Sequence, residues 1–227
     1  MKKNQPHIGV LGLGSRSTVF YIEQLNNKYQ ALKGGYSTCP FKLLNANFNT
    51  INPFLPDNFE QLEKNLLPYL QDFQKLNIDT LLIPNITLHQ TIDLLTDDQR
   101  LKTPIIHPLE STLGVLKNDG KNEVLLLGSL HTMRTSYIPS HLKANNIVVS
   151  VPKEKEMLFI DNLRQNIYLN KETQEEINEY KQLIQIVTTN KAVVIACTEL
   201  SLVLPDNMNN VYDMARIQIN KALNVFN

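Results

Sequence analysis

The side chains best suited to chemistry in this 227-residue chain stand where short apolar runs end. VVIA at 193–196 runs into Cys197-Thr198-Glu199, a thiol, a hydroxyl and a carboxylate in succession. A thiol at a helix start, facing outward-pointing backbone N–H groups, is expected to have its pKa lowered toward thiolate, and a thiolate can move a proton. LLIP at 81–84 runs in the same way into Asn85-Ile86-Thr87-Leu88-His89. Asn85 can donate and accept hydrogen bonds but holds no proton to shuttle near neutral pH. Thr87 can hold a carboxylate oxygen, and His89 falls two residues inside the presumed helix, where a satisfied structural histidine is the plainer reading. VLLLG at 124–128 leads to Ser129 and Thr132, which are either ordinary N-caps or holders of an anion at a helix start.

A further turn, Gly12-Leu13-Gly14-Ser15-Arg16-Ser17, follows the first apolar run. A dinucleotide-binding loop needs a third glycine where Ser17 stands and an acid after the second strand, where the chain reads Leu44-Asn45-Ala46-Asn47, so nucleotide binding is disfavoured. Backbone N–H groups around Gly12 and Leu13 would still suit a small carboxylate. His7, His107 and His141 have no metal-ligand spacing with one another or with a cysteine, and Cys39, ahead of Pro40, reads as structural.

These turns need elements to hold them. Runs at 8–12, 41–46, 80–84, 104–106, 124–128, 147–151 and 193–196 do not alternate apolar with polar, as expected of strands buried on both faces of a parallel sheet. Between them, 17–32 has helical spacing and stops at Gly34-Gly35. Asp57-x-x-Glu60 and Thr173-x-x-Glu176 read as capping boxes. The first precedes Leu62, Leu66, Leu70 and Phe73, the second Ile177, Tyr180, Leu183, Ile184 and Val187, both at helical spacing. Alternating strands and helices imply an α/β layer fold with right-handed crossovers. The polar stretch at 116–123 suggests a lobe boundary: residues 1–115 with a returning 213–227 in one lobe, 116–212 in the other.

Composition excludes several classes. Formal net charge is zero, so no basic surface excess marks a nucleic-acid binder. No apolar run approaches the ~20 residues of a membrane span, and no secretory signal is legible. Two widely separated cysteines fit a reducing cytoplasm.

Taken together, IGVLGLGSRSTVFY at the start, GGYSTCPFKLLNANFNTI at 34–51, VLLLGSLHTM at 124–133 and VVIACTELSLVLPD at 193–206 resemble the aspartate/glutamate racemase family across nearly the whole chain. The most specific match is to its Gly-Cys-Thr-Glu motif, with Ala196 for Gly. The resemblance implies two Rossmann-like lobes, each a small parallel sheet flanked by helices, related by a pseudo-twofold with the active site in the cleft between them. It implies a homodimer and proton transfer without cofactor or metal, on an acidic amino acid or other dicarboxylate. Cys197 corresponds to the second catalytic cysteine, and Thr198 and Glu199 to the residues after it. Thr87, His89, Ser129, Thr132, Asn47 and the loop at Gly12 and Leu13 correspond to binding positions. Lys171 and Arg16 are weaker candidates for a side-chain carboxylate. Asn85 falls where the first catalytic cysteine belongs and cannot be a second base. A single thiol is also the equipment of malonate decarboxylases in the wider superfamily, and a non-catalytic dicarboxylate-binding protein is the third reading.

Overall fold

The computed structural model describes residues 5–227, which divide into two units: one runs to His107 and includes Gln218–Asn227, the other is Pro108–Ile217. The expected boundary at 115/116 lies inside a helix, Pro108–Asn118, whose Leu109, Leu113 and Leu116 are buried, so the chain divides before that helix.

The first unit is built on three parallel strands, β1 (Ile8–Gly12), β2 (Phe41–Asn45) and β3 (Thr80–Leu82), in the order β2-β1-β3. Its helices are α1 (Ser15–Lys33), α2 (Phe59–Lys75) and the short α3 (Leu88–Asp93). The expected strand at 104–106 reduces to one parallel bridge between Leu81 and Ile105. Pro104 can offer only its carbonyl, which Leu81 N takes at 2.9 Å, so the ladder goes no further there. The second unit holds β4 (Glu123–Gly128), β5 (Val148–Ser150), β6 (Ala192–Ala196) and β7 (Val211–Asp213), all parallel, in the order β5-β4-β6-β7. Around them lie α4 (Pro108–Asn118), α5 (Leu130–Arg134), α6 (Tyr137–Ala144), α7 (Glu154–Leu169), α8 (Gln174–Thr188) and α9 (Thr198–Leu202). The last helix, α10 (Met214–Ala222), spans the division between residues 217 and 218.

Each unit therefore repeats one plan: first strand in the middle, second on one side, third on the other, fourth (or its single-bridge remnant) beyond. Central strands β1, β4 and β6 are buried along almost their whole length, whereas the edge strands β2 and β5 are not: Leu43 is 37% exposed and Val148 62%. Burial on both faces, expected for every run, thus fails at the edge strands β2 and β5.

Periodicity places the helices correctly. Leu62, Leu66, Leu70 and Phe73 of α2 enter the first unit's core beside Leu11, Leu81 and Ile83. Tyr180 and Ile184 of α8 enter the second beside Ile160, Leu163, Val193 and Ile195. The box at α8 forms as read: Glu176 N donates to Thr173 Oγ1 (3.2 Å) and Thr173 N to Glu176 Oε2 (2.8 Å). The one at α2 does not, because the helix starts a residue later; Asn58 is the cap, its Oδ1 accepting from Gln61 N at 3.4 Å. Among the described residues no helix is long and apolar enough to cross a membrane.

Candidate functional site

In the second unit the chemistry gathers at the carboxyl ends of β4 and β6, where ligands of parallel sheets are held. β4 ends in Gly128, and a Cβ there would lie 2.9 Å from Thr132 Cγ2 and 3.3 Å from Ala196 O, so only glycine lets the α5 turn close over the strand ends. Ser129 caps α5: Thr132 N donates to its Oγ at 3.1 Å, and the two hydroxyls are 2.9 Å apart.

β6 ends at Ala196, and Cys197 becomes the N-cap of α9 in extended conformation. The short α9 is pinned from behind. Arg216 donates from Nη1 to Ser201 O (3.0 Å) and from Nη2 to Leu204 O (2.8 Å), taking up the carbonyls of the helix end, and also pairs with Asp213. Asp213, ending β7, accepts Ser201 Oγ at 2.9 Å and Arg216 N at 3.1 Å. Cys197 is thus held at both the strand and the helix it joins.

The thiol is 7% exposed and donates to Glu199 Oε2 at 3.1 Å. Thr198 is 3% exposed and its Oγ1 has no hydrogen-bond partner, which leaves a buried donor aimed at no protein atom. The thiolate expected from the helix start does not form. Burial pushes the Cys197 pKa well up, the Glu199 carboxylate pushes it further, and the attraction of Arg164 offsets this only in part. Desolvation penalises the charged form, and a five-residue helix has little field to oppose it. Cys197 rests as a protonated acid.

Arg164 was not legible as a site residue. It stands on α7, which packs against both α5 and α9, and its Nε donates to Asp161 Oδ1 at 2.9 Å. Asp161 Oδ1 also accepts Leu130 N at 2.9 Å, and these donors hold its carboxyl below the usual range despite burial. The one sequence signal was an acid and a base three residues apart beside the buried positions Ile160, Leu163 and Ile167. The cation whose charge reaches Cys197 is therefore Arg164, while Lys171 is exposed in the turn between α7 and α8.

In the first unit the end of β3 has the equivalent topological place to the end of β6. Asn85 Oδ1 accepts Leu88 N at 2.9 Å and so caps the turn into α3; Thr87, half-buried, makes no cap bond. His89 is fully buried, and its Nε2 donates to Ile83 O at 3.2 Å, since a carbonyl oxygen can only accept; Gln218 Nε2 lies 3.4 Å away and donates to Ile106 O. Its Nδ1 is buried without a partner. Burial and the neighbouring His107, whose ring packs edge-on at 4.7 Å, push its pKa down to about 3. His89 is a neutral core residue bonded to the strand end two positions before Asn85.

The Gly12 turn is likewise closed on itself. Thr18 Oγ1 accepts Leu13 N at 3.0 Å and donates to Gly14 O at 2.8 Å. Leu13 is 4% exposed within the core, so neither its amide nor its side chain is free for the carboxylate expected there. A Cβ at Gly12 would lie 2.3 Å from Asn45 Oδ1 and 3.0 Å from Thr18 Cγ2, so these side chains would have to shift to admit one. Asn47 is exposed and caps the following 3-10 turn through Asn49 N at 3.2 Å. Cys39 is buried, with its pKa pushed up to about 12 by desolvation.

Comparison with known proteins agrees with this architecture. The family model described as Asp/Glu/Hydantoin racemase matches residues 10–222. Among curated protein sequences none matches. Solved structures with the same fold include an aspartate racemase homologue from Pyrococcus horikoshii, with TM-score 0.81 and 18% identity over 97% of this chain and 99% of that one. Another is the Picrophilus torridus aspartate racemase, with TM-score 0.79 and 20% identity over 97% and 94%. A cysteine-substituted arylmalonate decarboxylase also aligns, with TM-score 0.55 and 12% identity over 97% and 93%.

Proposed function

We propose, from the premise that the chain belongs to the Asp/Glu/hydantoin racemase family, that it moves the α-proton of an acidic amino acid without a cofactor, through the thiol of Cys197. The observation that carries this reading is the buried Sγ–H of Cys197 bonded to Glu199 at 3.1 Å, beside an unpartnered Thr198 hydroxyl. To act as a base, the thiol passes its proton to Glu199 and the thiolate takes the α-hydrogen, leaving the electron pair as an enediolate on the carboxylate. Thr198 Oγ1 is a donor suited to that charge. In reverse, Sγ–H returns the proton to the same carbon. Inversion needs a second acid on the opposite face, and Asn85 cannot be that acid.

The reading therefore predicts exchange of the α-hydrogen with solvent deuterium faster than inversion. The test is deuterium incorporation into L- and D-aspartate and L- and D-glutamate by the native protein and by Cys197→Ser. Absence of exchange with all four, or exchange that survives the substitution, would end this assignment. The same reading includes a cytoplasmic homodimer, whose mass in solution light scattering measures.

The resting protonation of Cys197 favours a second reading. A thiol that starts as an acid, with no partner base at Asn85, suits one-way delivery of a proton to an enediolate left when a substituted malonate loses carbon dioxide. Carbon dioxide release from such a malonate, abolished in Cys197→Ser, distinguishes this reaction from the first. Stabilisation by dicarboxylates with neither reaction leaves a binding protein.

A further inference from the structure

Helix α9 has five residues, too few to hold its shape alone, yet Cys197 is its cap and Glu199 lies in its first turn. What fixes it lies behind the thiol. Arg216 and Asp213 form an ion pair in which each side chain is only 8% exposed. The guanidinium is engaged on all three nitrogens: Nε on Asp206 at 2.9 Å, Nη1 on Ser201 O and Asp213, Nη2 on Leu204 O. Asp213 Oδ1 accepts Ala215 N at 3.0 Å and Arg216 N at 3.1 Å, which locks the carboxylate at the end of β7. Ser201 is fully buried, with its Oγ 2.9 Å from Asp213 Oδ1 and 3.2 Å from Cys197 O. One hydroxyl has one proton, and the shorter, charge-assisted bond to the carboxylate takes it. Cys197 O keeps Ser201 N, at 3.3 Å. Strand end, thiol residue and helix are thus all moored to β7.

We infer that the Asp213–Arg216 pair, acting through Ser201 and the end of α9, is a positioning device that keeps the Cys197 sulfur within bonding reach of Glu199, at 3.1 Å, and so serves proton transfer and not substrate binding. A buried ion pair adds little net stability, because desolvation offsets its attraction; its use here is the geometry it fixes. Asp213, Arg216 and Ser201 are positioning residues, which act through Cys197 and Glu199. The inference rests on reading Cys197 as the proton carrier.

The test is Ser201→Ala, which removes one oxygen and leaves the ion pair in place. Misplacing a reacting group by about 1 Å costs up to about 100-fold, so kcat for α-hydrogen exchange with L-aspartate should fall at least about tenfold while KM stays within about twofold. Arg216→Lys, which keeps the charge but not the fork, should act in the same way. A second readout is independent of turnover: the pH at which iodoacetamide begins to alkylate Cys197, followed by peptide mass. Ser201→Ala should lower this onset when Glu199 is present and leave it unmoved in a Glu199→Gln background, since both changes act through one contact. An equal shift in both backgrounds would mean that the substitution only exposes the thiol, and it overturns the inference. So do an unmoved onset with Glu199 present, an unchanged kcat, or a KM that rises while kcat is kept. If the native protein exchanges no α-hydrogen, the proposed reaction fails instead, and the alkylation comparison alone decides the positioning role.

Discussion

Lowering the pH from 7 to 4.5 should remove about 2–3 kcal/mol of stability from the first unit through His89 alone. The ring is fully buried, one nitrogen donates to Ile83 O and the other has no partner, so a second proton would find no acceptor. Its pKa accordingly falls from 6.5 to about 3. A histidine whose folded pKa lies below its unfolded value takes up its proton more readily when unfolded. Its stabilising contribution is therefore complete above about pH 6.5 and is lost as pH falls toward 3. At about 1.4 kcal/mol per pH unit, the two units crossed between 6.5 and 4.5 give the stated loss. The comparison is His89→Gln, whose amide can still donate to Ile83 O but does not titrate. Urea unfolding of both proteins at the two pH values, followed by circular dichroism, separates this effect from the carboxylates, which are common to both. Equal loss of stability in native and variant proteins would refute the argument.

Other perturbations have equally definite directions. Gly128→Ala should cost about 1–3 kcal/mol, because the new methyl meets Thr132 and the carbonyl of Ala196. Gly114→Ala, inside α4 with nothing within 4 Å of its Cβ, should stabilise by about 0.5–1 kcal/mol; thermal melts read both. Thr173→Ala removes the α8 cap and should cost about 1 kcal/mol, measured by denaturant midpoint. In Glu199→Gln the carboxylate no longer opposes ionisation of Cys197, so the onset of iodoacetamide alkylation should move to lower pH. Unchanged onset would mean that Glu199 does not act on the thiol.

The sequence by itself determined the layered architecture and the places where chemistry could occur. Apolar runs ending in Gly12, Asn85, Gly128 and Cys197 read as strands, because they are too short for helices and do not alternate, as in a sheet buried on both faces. The spacing of Leu62, Leu66, Leu70 and Phe73 allowed one face of one helix. β7 carries almost no sequence signal, because Val211–Asp213 is three residues long and ends in an acid whose use is a cap. Tertiary structure decided the rest, since it sets the dielectric and the partners of each group. It made Cys197 an acid by burying it against Glu199, and it made His89 an inert support by closing the core around it. It also turned Asp161 and Arg164, indistinguishable in sequence from a solvated helix pair, into a clamped cation acting on the thiol. Residue type and spacing state which groups are present; only packing states which of them water reaches, and so which of them carry charge.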